Sequence, residues 1–378
     1  MSGSRPRLLI SASDQAAADA IRPIVHAARR HGIEHRVVAG EPAHGRLRKA
    51  SIEADLFEHC RIADPQTREA RNLVSAASRL IAKYQPDAVL VGLSGPDAGL
   101  DEALLMAADG QLPTYAVQDF WGDVNTVMPA RPGVFFVVDD YAAELTGRRV
   151  RSDIHVVGAL RYVDYGEFAP DQMRTRARSQ LGLANGRMLI GIFTQALWHI
   201  DGYGAQWKTL IALLAGIDCP PTALVRRHPR DTEEQALTIR NMLGSAGIAS
   251  VDASGLTIEQ AICACDVVCS AFSSVATDLC YLQRYAQRPL GTPLLLLFAS
   301  DLRRHFEGQC GFATHPFVNA GLMLEAAAGN ELRDCLARAV DPAVRDQIWR
   351  RCRDLPEPAT AAERVIERLQ ADWAARAA

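Results

Sequence analysis

The chain has 378 residues, 48% of them hydrophobic and 22% charged, and a formal net charge of −3. So long a globular chain exceeds one ordinary core, and two domains are expected. The charge argues against a nucleic-acid surface driven by bulk electrostatics. No apolar run reaches the ~18 residues of a membrane span. Nine scattered cysteines with no secretion signal fit a reducing cytoplasm.

In chain order, 7–10 reads as a buried strand, Ser11 to Asp14 as a loop of small residues, and 15–31 as an amphipathic helix stopped by Gly32. A second strand over 35–38 makes a β-loop-α-β opening, the grammar of a doubly wound α/β domain. The first loop lacks the GxGxxG of a dinucleotide site. A helix over 70–84 follows, then a strand at 88–91, a loop from Gly92 through Pro96 to Asp97, a helix at 100–108 and a strand at 113–117. The loop after that strand, Gln118-Asp119-Phe120-Trp121-Gly122-Asp123, carries two carboxylates, an amide and two aromatics. Its position at a strand end marks a binding surface, with Asp119 and Trp121 as acceptor contacts; the plainer alternative is a packed turn in which the two rings cover the sheet end. Strands over 134–138 and 155–157 complete the sheet. Asp139-Asp140 is not spaced as a metal-binding Asp-x-Asp and reads as a helix start.

A helical, charged connection over 162–186 leads into a second round of the same pattern. Strands are expected at 188–193, 223–225, 249–252, 266–269 and 294–297, with helices at 203–215, 233–246 and 275–282. Thr257 and Gln260 form a capping box. Cys263, Cys265 and Cys269 lack metal-ligand spacing and read as buried thiols. The Arg350–Arg353 cluster reads as a solvated face. After Pro356 and Pro358, a terminal helix over 360–376 is positioned to return to the first domain.

The organising features are two strand ends of the second half. One strand runs into Arg226-Arg227-His228-Pro229-Arg230; another runs into Ser270-Ala271-Phe272-Ser273-Ser274. Ligands of open parallel sheets bind beyond the carboxyl ends of the strands, where helix amino ends favour anions. Arg227, His228, Ser273 and Ser274, with the Thr194-Gln195 loop, therefore read as donors to a nucleotide diphosphate. The bland alternatives are a His-Pro turn and a serine helix cap.

These pieces resemble the GT-B glycosyltransferases, which have two Rossmann-like halves facing across a cleft. The stretch Val156-Val157-Gly158-Ala159-Leu160-Arg161-Tyr162-Val163-Asp164 resembles their exit from the first domain, without its proline. Arg227-His228-Pro229 and Ser270 through Ser274 resemble the His-Pro and paired-serine motifs of bacterial sialyl-, polysialyl- and glycerophosphate-transferring enzymes. The resemblance implies that His228, Ser273 and Ser274 hold donor phosphates. The Asp/Glu-Asp/Glu-Gly acceptor motif of the sialyltransferases and the Glu-x7-Glu of many retaining enzymes are not found. The expectation is therefore a cytoplasmic, metal-independent glycosyltransferase that needs a nucleotide-sugar co-substrate and no other cofactor. Its acceptor domain spans 1–161, its donor domain 162–359 and its terminal helix 360–378; partners are a nucleotide-sugar donor and a sugar acceptor, with homo-oligomerisation left open. Asp14 and then Asp123 are the candidate bases for the acceptor proton. Two alternatives stay open: a non-hydrolysing nucleotide-sugar 2-epimerase, whose His-Arg-Glu-Asn type segment is not visible, and a two-lobed binding module.

Overall fold

A computed structural model describes residues 6–95, 97–183 and 186–377. Pro96 of the 92–97 loop, 184–185 of the charged connection and 1–5 of the opening stretch lie outside the described residues. The chain forms two compact units, Met1–Asp164 with Pro356–Ala378, and Tyr165–Leu355.

The first unit runs β1 (Arg7–Ala12), α1 (Gln15–Arg30), β2 (Glu34–Ala39), α2 (Ala43–Lys49), β3 (Asp55–Leu56), α3 (Arg68–Tyr84), β4 (Ala88–Val91), α4 (Leu100–Ala108), β5 (Thr114–Val117), β6 (Val134–Val137), α5 (Asp140–Gly147) and β7 (Asp153–Val156). Its strands pair in parallel in the order β3-β2-β1-β4-β5-β6-β7. The order reverses direction between β1 and β4, the switch point of a doubly wound sheet. β4, β5 and β6 are buried along their whole length, so their apolar runs do not alternate with polar residues, as expected where both faces are covered. α1 starts where the Asp14 carboxylate accepts from the Ala17 N–H at 2.9 Å. Its C-cap is His31, and Gly32 just beyond has a φ of +65°, which suits a residue without a side chain.

The second unit runs α6 (Pro170–Gln180), β8 (Leu189–Phe193), α7 (Asp201–Ala215), β9 (Thr222–Arg226), α8 (Glu233–Ser245), β10 (Ser250–Asp252), α9 (Ile258–Ala264), β11 (Val267–Ser270), α10 (Ser274–Tyr285), β12 (Thr292–Leu296), α11 (Ser300–Cys310), α12 (Pro316–Asn319), β13 (Leu324–Ala326), α13 (Leu332–Val340) and α14 (Pro342–Arg353). Its parallel sheet has the order β10-β9-β8-β11-β12-β13 and reverses between β8 and β11. Thr257 and Gln260 form the expected capping box. Cys263, Cys265 and Cys269 are buried, and burial pushes the Cys263 and Cys269 thiols up to about 12, as fits packing residues.

The last helix, α15 (Ala361–Ala377), belongs to the first unit. Its Ala361, Ala362, Val365, Ile366 and Leu369 are buried in the core that also holds Leu8, Ile10, Ile21, Ile24 and Tyr115. The Tyr115 hydroxyl donates to Asp372 Oδ2 at 2.8 Å while its ring stacks on Phe136. No helix among the described residues is long and apolar enough to cross a membrane.

Candidate functional site

In the first unit the side chains with chemistry collect at the carboxyl ends of β1, β4 and β5. Ser11, at the end of β1, donates to Asp101 Oδ1 at 2.5 Å, and Ser94, just past β4, donates to Asp101 Oδ2 at 2.8 Å. One buried carboxylate at the start of α4 thus ties the two strands that flank the switch point. Its neighbour Glu102 accepts from the backbone N–H groups of Ser94 at 3.0 Å and Gly99 at 2.8 Å. Burial, and after it the Asp101 charge, raises the Glu102 pKa. The turn is tight: a Cβ on Gly99 would lie 2.7 Å from Ser94 Oγ and 2.9 Å from His59 Nε2. His59 accepts from the Leu100 N–H through Nε2 at 3.2 Å and contacts the Phe57 carbonyl through Nδ1 at 3.3 Å, which fixes a neutral ring; burial lowers its pKa.

Asp14, Asp119 and Asp123 lie within electrostatic reach of one another in this region. All three side chains are part-exposed. Burial is the main influence on Asp14, whose pKa is raised to about 7; the Asp119 charge adds to the rise, and the Ala17 N–H and Arg61 oppose it. Asp119 is raised by burial and by Asp123, against Arg161, and Asp123 by burial and by Asp14, against Arg149. Like charges held close in a poorly hydrated place do not all ionise together. Ser13 Oγ and Arg61 Nη1 are buried here with no hydrogen-bond partner among the described residues, although Arg61 Nη2 donates to the Ser13 carbonyl at 3.2 Å. Trp121 is turned inward. It is 4% exposed, its Nε1 donates to Asp139 Oδ2 at 2.8 Å and its ring meets Phe120 edge-on. The packed-turn alternative therefore describes Trp121, while Asp119 and Asp123 of the same loop join Asp14.

In the second unit the loops after β8, β9 and β11 interlock. Thr194 does not present its hydroxyl outward. It donates to Asp231 and accepts from the His228 N–H at 2.9 Å, and His228 N also donates to Asp231 Oδ2 at 3.1 Å. Thr194 is thus a positioning residue for His228, a correction to its expected role as a phosphate donor. His228 Nδ1 accepts from the Arg230 N–H at 3.1 Å, which leaves the ring proton on Nε2. Burial and then the Arg230 charge lower its pKa, so the ring is neutral with one free N–H to give. Gln195 joins the β8 and β11 loops across the switch point, its Oε1 accepting from the Phe272 N–H at 2.9 Å. Ser273 is the N-cap of α10, its Oγ accepting from the Val275 N–H at 3.4 Å, and Ser274 is exposed at the first position of that helix. Arg227 leaves the group: it pairs with Glu233 and lines a separate hollow of about 410 Å³ with Arg240 and Asp252. Strand alternation explains this, since neighbours along a strand exit face opposite ways. Beside the serine loop, the Phe272 ring lies 6.1 Å from that of His305, and His305 lies 5.9 Å from His199.

Sequence reasoning did not single out Asp101, Glu102, Arg61 or Asp231. Asp101 and Glu102 follow a glycine at a helix start, the one local signal that could have found them. Arg61 has no such signal. No group of three or more potential ligands able to hold a metal ion occurs among the described residues.

No family model matches the chain, and no curated protein matches it in sequence. Solved structures do resemble it. The UDP-GlcNAc 2-epimerase of Neisseria meningitidis bound to UDP-GlcNAc is similar with a TM-score of 0.68 at 13% identity, over 96% of this chain and 99% of that one. A glycosyltransferase of Rickettsia africae ESF-5 gives 0.63 at 10% identity, over 97% and 98%. MurG of Acinetobacter baumannii gives 0.61 at 9%, over 97% and 99%. Likeness at such identities establishes the fold: two Rossmann-like units of the GT-B kind. The resemblance of His228, Ser273 and Ser274 to sialyltransferase-type motifs rests on the sequence alone.

Proposed function

We infer that the protein is an enzyme of nucleotide-sugar chemistry, and that it transfers the sugar to a hydroxyl acceptor without a metal ion. The observation that carries this reading is the Asp14, Asp119 and Asp123 group, with the Asp14 pKa raised to about 7. A carboxylate poised near neutrality is suited to take the acceptor's proton as its oxygen attacks the anomeric carbon. Asp14, in its ionised form, is the first choice for that base and Asp123 the second; the Asp119 charge raises the basicity of Asp14.

As the sugar leaves, negative charge builds on the nucleoside diphosphate. The Nε2–H of the neutral His228, the amino end of α10 and the Ser274 hydroxyl are the donors assigned to that charge. Removing one such pre-placed donor typically costs ~2.7–4 kcal/mol in the transition state. A neutral histidine suits the task because it donates without titrating near pH 7. Phe272 and His305 offer ring faces beside this loop for a base. The place of action is the cytoplasm.

The test is a thermal-shift screen against UDP, GDP, CDP, CMP and dTDP, free and sugar-linked. A ligand at about 100 times its Kd adds ~2.7 kcal/mol of stability. Replacing His228 by Ala should remove the response to the best ligand; a response that survives unchanged rejects the assignment. The higher TM-score of the 2-epimerase favours a second reading, in which raised-pKa carboxylates exchange a proton on the sugar ring itself. Incubation of the sugar nucleotide without acceptor separates the two: net isomerisation with solvent deuterium uptake selects epimerisation, and its absence with turnover on acceptor selects transfer.

A further inference from the structure

The second unit has a feature that neither reading uses. At the amino ends of β8, β11 and β12, opposite the strand ends that carry His228 and Ser273, lies a cavity of about 660 Å³. Arg174, Arg178, Arg187, Arg288 and Arg345 line it, and among the described lining residues Asp266 is the one acid.

The floor is built around Asp266. Its carboxylate accepts from the Leu189 N–H at 2.8 Å and pairs with Arg174, with Arg178 at 3.3 Å and with Arg345 at 3.5 Å. Arg174 and Arg178 also donate to the carbonyls of Cys263, Ala264 and Cys265, closing the carboxyl end of α9. Carbonyls satisfy N–H groups but carry little charge; a helix carboxyl end supplies only about half a negative unit. Three guanidinium groups therefore face one full carboxylate, a surplus of about 1.5 positive charges. The three side chains are only 13%, 15% and 21% exposed, so water compensates that surplus poorly. The strain is visible on Arg345: its Nε is buried without a partner, and burial lowers its pKa. On the walls Arg187 adds more of the same sign, whereas Arg288 is offset by an ion pair with Asp171. Arg187 is exposed, and Arg288, 67% exposed, is held at 3.3 Å from Asp171. Thr175 and Ser179, one turn apart on α6, add hydroxyls, and Met188, Pro289 and Val340 add an apolar side.

We propose that this cavity is a second ligand site, for a small organic phosphate carrying at least two negative charges. The volume falls within the range of small-molecule sites, roughly 300–1,000 Å³. Guanidinium groups match phosphate oxygens two at a time, and Arg187 and Arg288 stand where a bound anion meets them first while the Asp266 floor supplies the field. The apolar side accommodates the organic part.

The experiment is calorimetric titration of the whole protein with inorganic pyrophosphate at fixed ionic strength. It compares the wild type, Arg187→Gln with Arg288→Gln together, and His228→Ala. The expected result is binding to the wild type, about tenfold weaker binding in the double variant, and a Kd within about twofold of wild type in His228→Ala. Equal binding in the double variant, weakening in His228→Ala alone, or no binding to the wild type overturns the proposal. If the double variant does not fold, Arg288→Gln alone, which removes an exposed side chain, is expected to weaken binding about threefold, and an unchanged Kd overturns it.

Discussion

Asp14→Asn is the substitution that reports most directly on the carboxylate group of the first unit. Asparagine keeps the shape and can still cap α1 through its carbonyl oxygen, so the helix start survives. What changes is titration. Burial raises the folded-state pKa of Asp14 from its ordinary 3.8 to about 7. Across that interval the folded protein holds a proton that the unfolded chain has lost, so the contribution of Asp14 to stability falls as pH rises. Between about pH 5 and about pH 8 the fall amounts to about 2.6 kcal/mol as an upper bound, and to roughly 1–2 kcal/mol once the residual hydration of a part-exposed carboxylate is allowed for. Asp119 and Asp123 are shifted the same way and add to the slope in both proteins. Urea unfolding of the first-unit transition at a series of pH values, wild type against variant, is the assay. The two curves should meet below about pH 4, where folded and unfolded wild type both hold the proton, and between about pH 5 and about pH 8 the variant should gain roughly 1–2 kcal/mol on the wild type. Parallel curves, or a variant that loses ground as pH rises, would refute the assignment of a raised pKa to Asp14. Because Asn cannot take a proton from a hydroxyl, the same protein should lose sugar transfer while keeping nucleotide-induced thermal protection.

Gly99→Ala puts a Cβ 2.7 Å from Ser94 Oγ and should cost roughly 1–3 kcal/mol in chemical denaturation; a neutral result would mean that the turn relaxes freely. Thr194→Val removes the hydroxyl between His228 N and Asp231, leaving a buried carboxylate short of a donor, with a loss of about 1–3 kcal/mol and weakened nucleotide protection. Asp266→Asn takes the one full negative charge from among three arginines and should destabilise the second unit by about 3–5 kcal/mol, read from the same unfolding curves. Chelation with EDTA should leave transfer intact, and its full loss would reject the metal-free mechanism.

The alternation of strand and helix was legible wherever the strands were apolar and short. Residues 88–91, 115–117 and 267–269 announce themselves because a strand covered on both faces is built mainly of apolar side chains. The stretch from α11 to α14 was not read. Ser300–Cys310 and Pro342–Arg353 are rich in charge and bury few residues, among them Leu302, Phe306, Ile348 and Cys352, so their apolar stripe is too thin to stand out. At the site, Asp14, Asp119 and Asp123 were visible as carboxylates at strand ends. Arg61 and Asp101, which complete their surroundings, come from loops and helix starts whose meeting only the sheet order determines. The serine pair shows the opposite limit. Ser273 takes the cap expected of any serine before a helix, and only its neighbour on α10 is left exposed, so one motif covers a structural and a candidate chemical role. Thr194 and Arg227 were placed correctly at strand ends, yet their side chains turn elsewhere, a matter of pleat that a residue's position does not disclose.

The return of α15 to the first unit means that this unit is sewn from two distant pieces of chain, with the whole of the second unit emerging between them. On a translating ribosome, the residues that seal β1 and α1 leave the exit tunnel only after the whole of Tyr165–Leu355. Until Ala361–Leu369 are made, the nascent protein carries an open greasy trough on its earlier half, the surface a chaperone would be expected to shelter.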